Sequence, residues 1–142
     1  MFDTVRNNSG GGGGIAIGIL NKVFSNPVVI CEGEENVELL VVEIKIGDMQ
    51  VRLFCAYGPQ EGSKDCLSFY QRLEEEVESA IDADCGIIME LDANAKLGYE
   101  YLKGDPHPTS QNGEFLLNII DKYNLQVVNQ LDICEGTINR KR

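Results

Sequence analysis

The chain has 142 residues, is 43% hydrophobic and 25% charged, and carries a net charge of −11. That length suits one domain, or part of one, with a hydrophobic core of its own. No apolar run approaches a membrane span, the opening residues lack the apolar segment of a secretory signal, and the acid excess argues against a tight grip on nucleic acid, where phosphate neutralisation supplies much of the affinity. Basic residues are scattered apart from Arg140-Lys141-Arg142. Cys31, Cys55, Cys66, Cys85 and Cys134 are odd in number and contain no Cys-x-x-Cys pair, which predicts reduced, partly buried thiols in an intracellular protein.

In chain order, residues 1–14 read as a flexible lead ending in the glycine run Gly10 to Gly14. No Gly-Lys-Ser/Thr follows it, so a phosphate loop is disfavoured. Short strands are predicted from Ile15 to Leu20 and from Pro27 to Cys31. From Glu38 to Ile46, Leu40, Val42, Ile44 and Ile46 alternate with Glu43 and Lys45, the period of a strand with two unlike faces. Gly47-Asp48 is a tight hairpin turn, and Met49 to Tyr57 is the return strand, stopped by Gly58-Pro59. From about Asp65 to Asp82 the period becomes helical, with Phe69, Leu73, Val77 and Ile81 on one stripe and Ser63 or Asp65 as cap. The run Glu74-Glu75-Glu76, with Glu78, reads as its solvated face. Cys85 to Leu91 is a buried strand. A long loop with Gly98, Gly104, Pro106 and Pro108 follows, then a helix capped by Asn112 and running to Tyr123, and a last strand from Leu125 to Val128. This order predicts an α/β (α+β) domain over residues 15–142, with a mixed sheet covered by helices.

The segment Ile87-Ile88-Met89-Glu90-Leu91-Asp92-Ala93-Asn94 carries the chemistry. A buried strand that delivers a carboxylate and a carboxamide to its end builds a polar site on rigid support. Asp and Asn are also what a plain turn demands, because their side chains bond nearby backbone. Tyr57, ending its own strand, can bring a hydroxyl to the same rim, or be a core-edge tyrosine with a wet tip. Other chemistries lack support. The single histidine, His107, sits in a loop between prolines, and neither a Gly-x-Ser-x-Gly elbow nor zinc-ligand spacing occurs. Asp is a hard ligand for a cation such as magnesium and a proton acceptor for water, and Asn can hold a phosphate oxygen.

Taken in order, Gly11 to Ile19, Val41-Val42-Glu43-Ile44, Ala56-Tyr57-Gly58-Pro59-Gln60-Glu61, Asp92-Ala93-Asn94-Ala95-Lys96-Leu97-Gly98, Asn112-Gly113 and Gly136-Thr137 resemble the endonuclease/exonuclease/phosphatase superfamily. The branch they resemble most is the endonuclease domain of retrotransposon-type endonuclease-reverse transcriptases. The resemblance implies a four-layer αββα sandwich with mixed, mostly antiparallel sheets, and metal-dependent hydrolysis of phosphodiesters or phosphomonoesters with magnesium or manganese. It implies that Asp92 orients or deprotonates the attacking water or contacts the metal, Asn94 binds the scissile phosphate, and Tyr57 hydrogen-bonds a phosphate oxygen. Asn112 and Thr137 fall on the substrate side. DNA is the implied partner and the nucleus an implied location. The family's upstream Asn and metal-binding Glu and its closing Asp-His segment have no counterpart, so the expectation is a truncated, impaired hydrolase. The alternative is an inactive remnant or interaction module whose exposed sheet edges self-associate. A small-molecule phosphatase of the same fold is a third reading.

Overall fold

The computed structural model describes residues 2–5, 14–20, 25–32, 37–102 and 105–128. The chain is mixed α/β. In order it forms β1 (Phe2–Val5), β2 (Gly14–Ile17), β3 (Ser25–Glu32), β4 (Glu38–Ile46), β5 (Met49–Tyr57), α1 (Cys66–Asp82), β6 (Gly86–Asp92) and α2 (Gln111–Lys122). These fall into two compact units, Met1–Ala95 and Lys96–Arg142. No described helix is long and apolar enough to cross a membrane.

The first unit is organised by a four-stranded sheet in the order β3-β4-β5-β6. The β4–β5 hairpin pairs without slippage from Ile46↔Met49 to Glu38↔Tyr57, and Gly47 at its tip has a φ of 61°, which glycine takes without steric cost. Gly58-Pro59 then ends β5, and α1 carries the chain back so that β6 runs parallel to β5, the connection such a pair requires. Strand alternation divides the sheet. Leu39, Val41, Phe54 and Ala56 are buried on one face, together with Phe69, Tyr70, Leu73, Val77 and Ala80 of α1. Leu40, Val42, Ile44 and Val51 form the core of the other face, joined by Ile15, Ile17 and Ile19.

Several departures from the sequence expectation have local causes. Phe2–Val5, expected within the flexible lead, pairs antiparallel with Gly14–Ile17, and Phe, Thr and Val are strand formers. Residues 6–13, with most of the glycine run, lie outside the described residues. Glu76 does not belong to a solvated face. It is buried and accepts from Arg72 at 2.8 Å, an i,i+4 pair along α1. Arg52, on the face that meets α1, is buried between Glu43 at 3.1 Å and the Ser79 hydroxyl at 3.0 Å. Asp65 stands at the N-cap of α1 but makes no side-chain capping bond. Instead, the Ser63 hydroxyl accepts from its amide.

Both helices close the same way. After α1, Asp84 adopts φ 55° while the amides of Asp84 and Cys85 donate to Ile81 and Ala80. After α2, Asn124 adopts φ 50° while the amides of Asn124 and Leu125 donate to Asp121 and Ile120. This is the paired bonding that satisfies the last carbonyls of a helix, with Asp and Asn replacing the usual glycine. Leu125 is thereby used as a helix stop. The strand expected from Leu125 to Val128 does not form, and residues 125–127 have no regular structure.

In the second unit the cap of α2 is Ser110, whose hydroxyl accepts from the Gly113 amide at 3.2 Å, rather than Asn112. Asn112 is the second helical residue and is only 1% exposed. The loop before the helix folds on itself. Lys96 and Ser110 exchange two bonds, the Thr109 hydroxyl donates to Leu97, and the Tyr99 amide donates to His107. His107 itself is exposed.

Candidate functional site

Tyr57 and Asp92 are register partners at the carboxyl ends of β5 and β6. In a parallel pair, register partners project to the same face, and neighbouring strands lie about 4.8 Å apart, so these side chains leave the sheet side by side. The carboxyl ends of adjacent parallel strands are where open α/β sheets present ligand sites. Glu38 is the antiparallel partner of Tyr57, so Glu38, Tyr57 and Asp92 form one row across three strands. The next row inward is Leu40, Cys55 and Glu90. Both rows lie on the face opposite α1. Asp92 and Glu90 are exposed, Tyr57 and Cys55 half-buried and Glu38 buried. Burial, and then the charge of Glu90, pushes the Cys55 thiol up, so it stays protonated.

Asn94 reaches the same end of the sheet by a different route. It takes φ 45°, and its Nδ2 donates to the Gly58 carbonyl at 2.7 Å while its Oδ1 accepts from Gln60 Nε2 at 3.1 Å. The Gly58 amide donates to the Asp92 carbonyl at 2.7 Å, and the Tyr70 hydroxyl donates to the Ala93 carbonyl at 2.8 Å. Asp92-Ala93-Asn94 is therefore laced to Gly58-Pro59-Gln60, the turn that follows Tyr57. Asn tolerates the left-handed conformation better than most residues and carries the amide that ties the two turns.

The five residues expected at the site thus have distinct fates. Tyr57 and Asp92 are brought side by side. Asn94 is brought to them through Gly58. Asn112 belongs to the second unit and is closed to solvent. Thr137 lies outside the described residues. Sequence reasoning missed Gly58, Gln60 and Tyr70 as supports of the rim. Tyr70 stands beside Phe69 of the apolar stripe of α1, and nothing in the helical period distinguishes a tyrosine with a bonded hydroxyl from one that only fills space.

The donor set suits one class of metal. Asp92 is an exposed hard oxygen donor at the end of β6, an edge strand whose residues are exposed or half-buried, where the sequence predicts a buried one. Magnesium keeps several waters and takes one or two carboxylates besides substrate phosphate, so a single well-placed Asp matches its habit. Among the described residues, no three His, Cys, Asp or Glu side chains gather into a group able to hold a metal ion. Asp92 could take one position on a hydrated cation, and among the described residues no closed protein cage is formed. The chain was compared with protein-family models, curated proteins and solved structures, and none matches.

Proposed function

We propose that the Tyr57–Asp92 rim is the centre of a magnesium- or manganese-dependent phosphodiester hydrolase site of the DNA endonuclease type, in a chain of the endonuclease/exonuclease/phosphatase superfamily. The observation that carries this reading is the register pairing of Tyr57 with Asp92 at the ends of two parallel strands. The four-layer αββα sandwich belongs to the same proposal. In it, the Asp92 carboxylate accepts a hydrogen bond from the attacking water and orients it, or takes one position on the cation. The Tyr57 hydroxyl donates to a non-bridging phosphate oxygen. Asn94 holds the turn that carries both, through Gly58. A bound magnesium would neutralise phosphate charge and polarise the phosphorus–oxygen bond. The net charge of −11 opposes the approach of a polyanion, so activity on DNA is low.

The test is nicking of supercoiled DNA with and without magnesium. The expected result is slow, magnesium-dependent nicking that drops about 100-fold or more in Asp92→Ala, the usual scale for losing a positioned acid–base group. Tyr57→Phe loses about tenfold, the scale of one hydrogen bond to a charged acceptor. Nicking that survives Asp92→Ala, or that never exceeds the magnesium-free background, refutes the reading.

A second reading, a non-enzymatic interaction module, is favoured by β6. It is the last strand of the sheet, and Ile88 on it is 55% exposed. Among the described residues no strand pairs with its outer edge, and an open apolar edge invites strand addition. Size-exclusion chromatography across a concentration series tests it. This reading expects association that Ile88→Lys reduces, and a monomer at every concentration counts against it.

A further inference from the structure

We infer that Tyr70 is a positioning residue of the Asp92 rim, acting from α1 through the Ala93 carbonyl. The inference rests on the proposed hydrolase reading for its functional meaning, and on geometry alone for its structural part. Tyr70 is 2% exposed and its ring meets Phe69 edge-on, with centroids 5.1 Å apart. A phenylalanine would fill that space equally well. The hydroxyl adds nothing to packing, and a buried hydroxyl without a partner costs stability. It donates to the carbonyl of Ala93 at 2.8 Å.

That carbonyl is the middle of the segment on which the rim depends. It accepts from the Tyr70 hydroxyl, and the backbone of Gly58 comes so near that a Cβ there would fall 2.6 Å from the same oxygen. Gly58 in turn donates to the Asp92 carbonyl and accepts from Asn94. A shift of Ala93 therefore moves Asp92 on one side and Asn94 on the other. Burial of the phenol, with Cys66 and Glu61 adding to it, pushes its pKa well above the ordinary tyrosine value. The hydroxyl keeps its proton, and so its donor role, wherever the protein is folded near neutral pH. Site geometry tolerates little looseness, since misplacement of about 1 Å can cost two orders of magnitude in rate.

Tyr70→Phe tests the inference, because it keeps the ring and removes the hydroxyl that donates to Ala93. Hydrogen exchange is the readout that needs no activity. The Gly58 amide, bonded to Asp92, is expected to exchange about tenfold faster in the variant, the scale of one lost hydrogen bond. The ladder amides of Val42 and Leu53 should accelerate clearly less. Equal acceleration at all three would mean that Tyr70 only stabilises the core, and would overturn the inference. With magnesium-dependent nicking as second readout, kcat is expected to fall about tenfold at unchanged KM. Wild-type kcat in the variant would likewise overturn it. If the wild type does not nick at all, the hydrolase reading fails by itself, and the Gly58 exchange rate still decides whether Tyr70 holds the rim.

Discussion

Gly58 and Ala93 approach backbone to backbone, so closely that a Cβ at Gly58 would stand 2.6 Å from the Ala93 oxygen and 2.9 Å from its carbonyl carbon. Neither obstacle is a side chain that can swing away. Gly58→Ala must therefore push the two turns apart and strain the bond from Gly58 to Asp92. The expected cost is about 1–3 kcal/mol, the range for overpacking, read as a lower urea midpoint at unchanged slope.

Asn94 combines an unusual backbone with a bonded side chain. Asn94→Ala loses the bonds to Gly58 and Gln60 and also leaves a residue with no side-chain polar group at φ 45°. Asn94→Gly loses the same bonds but relieves the steric conflict. The alanine variant should be less stable than the glycine variant by about 1 kcal/mol, the cost of left-handed backbone for an ordinary L-residue. Equal midpoints in denaturation would show that the turn relaxes to another conformation.

The Glu43–Arg52–Ser79 group lies across the sheet–helix layer. Arg52 is 7% exposed, so removing its carboxylate partner strands a cation. Glu43→Ala is expected to cost about 3 kcal/mol, and Ser79→Ala, which removes one neutral acceptor, about 1 kcal/mol. The double variant Glu43→Leu/Arg52→Met should recover most of the loss, because a buried ion pair adds little over apolar residues of similar size. Thermal unfolding of the three variants checks the order.

Alkaline pH should weaken the fold. Burial holds the thiols of Cys31, Cys55 and Cys85 above the ordinary 9.0, and the phenol of Tyr70 above 10.0. Groups with raised folded-state values bind protons more tightly when folded than when unfolded. Their stabilising contribution is complete below the unfolded value and is lost as pH rises towards the folded one. Under reducing conditions the urea midpoint is expected to stay level to about pH 8.5 and decline beyond about pH 9. Tyr70→Phe should flatten the part of the decline above pH 10.0. A midpoint that rises with alkaline pH would contradict the assignment.

The elements that depend on neighbours in sequence are legible in the chain itself. Leu40, Val42 and Ile44 mark a strand by alternation, and Gly47-Asp48 marks its turn. Phe69, Leu73 and Val77 mark the helix by a four-residue recurrence. The rest is settled by contacts made far along the chain. Glu76 looks like its acidic neighbours until Arg72 and the sheet enclose it. Ser110 and Asn112 are both capping residues, and the choice follows from Lys96 bonding Ser110. Leu125 belongs to an apolar run that suits a strand, yet its amide is claimed by Ile120. At the site, Asp92 and Tyr57 could each be expected at a strand end. That Asn94 faces back to Gly58 depends on two turns meeting, which no periodicity records.

The parallel pairing of β5 with β6 has a kinetic consequence. A hairpin can zip from its tip, so β4 and β5 can find each other early. Tyr57 and Asp92 meet only by closing the long crossover that contains α1, and such non-local closure is slow because chain entropy is lost before contacts repay it. The rim is thus among the last parts to assemble, and partial unfolding of α1 would dismantle it while the hairpin survives. A protease that nicks the chain within α1 would leave a hairpin with no rim.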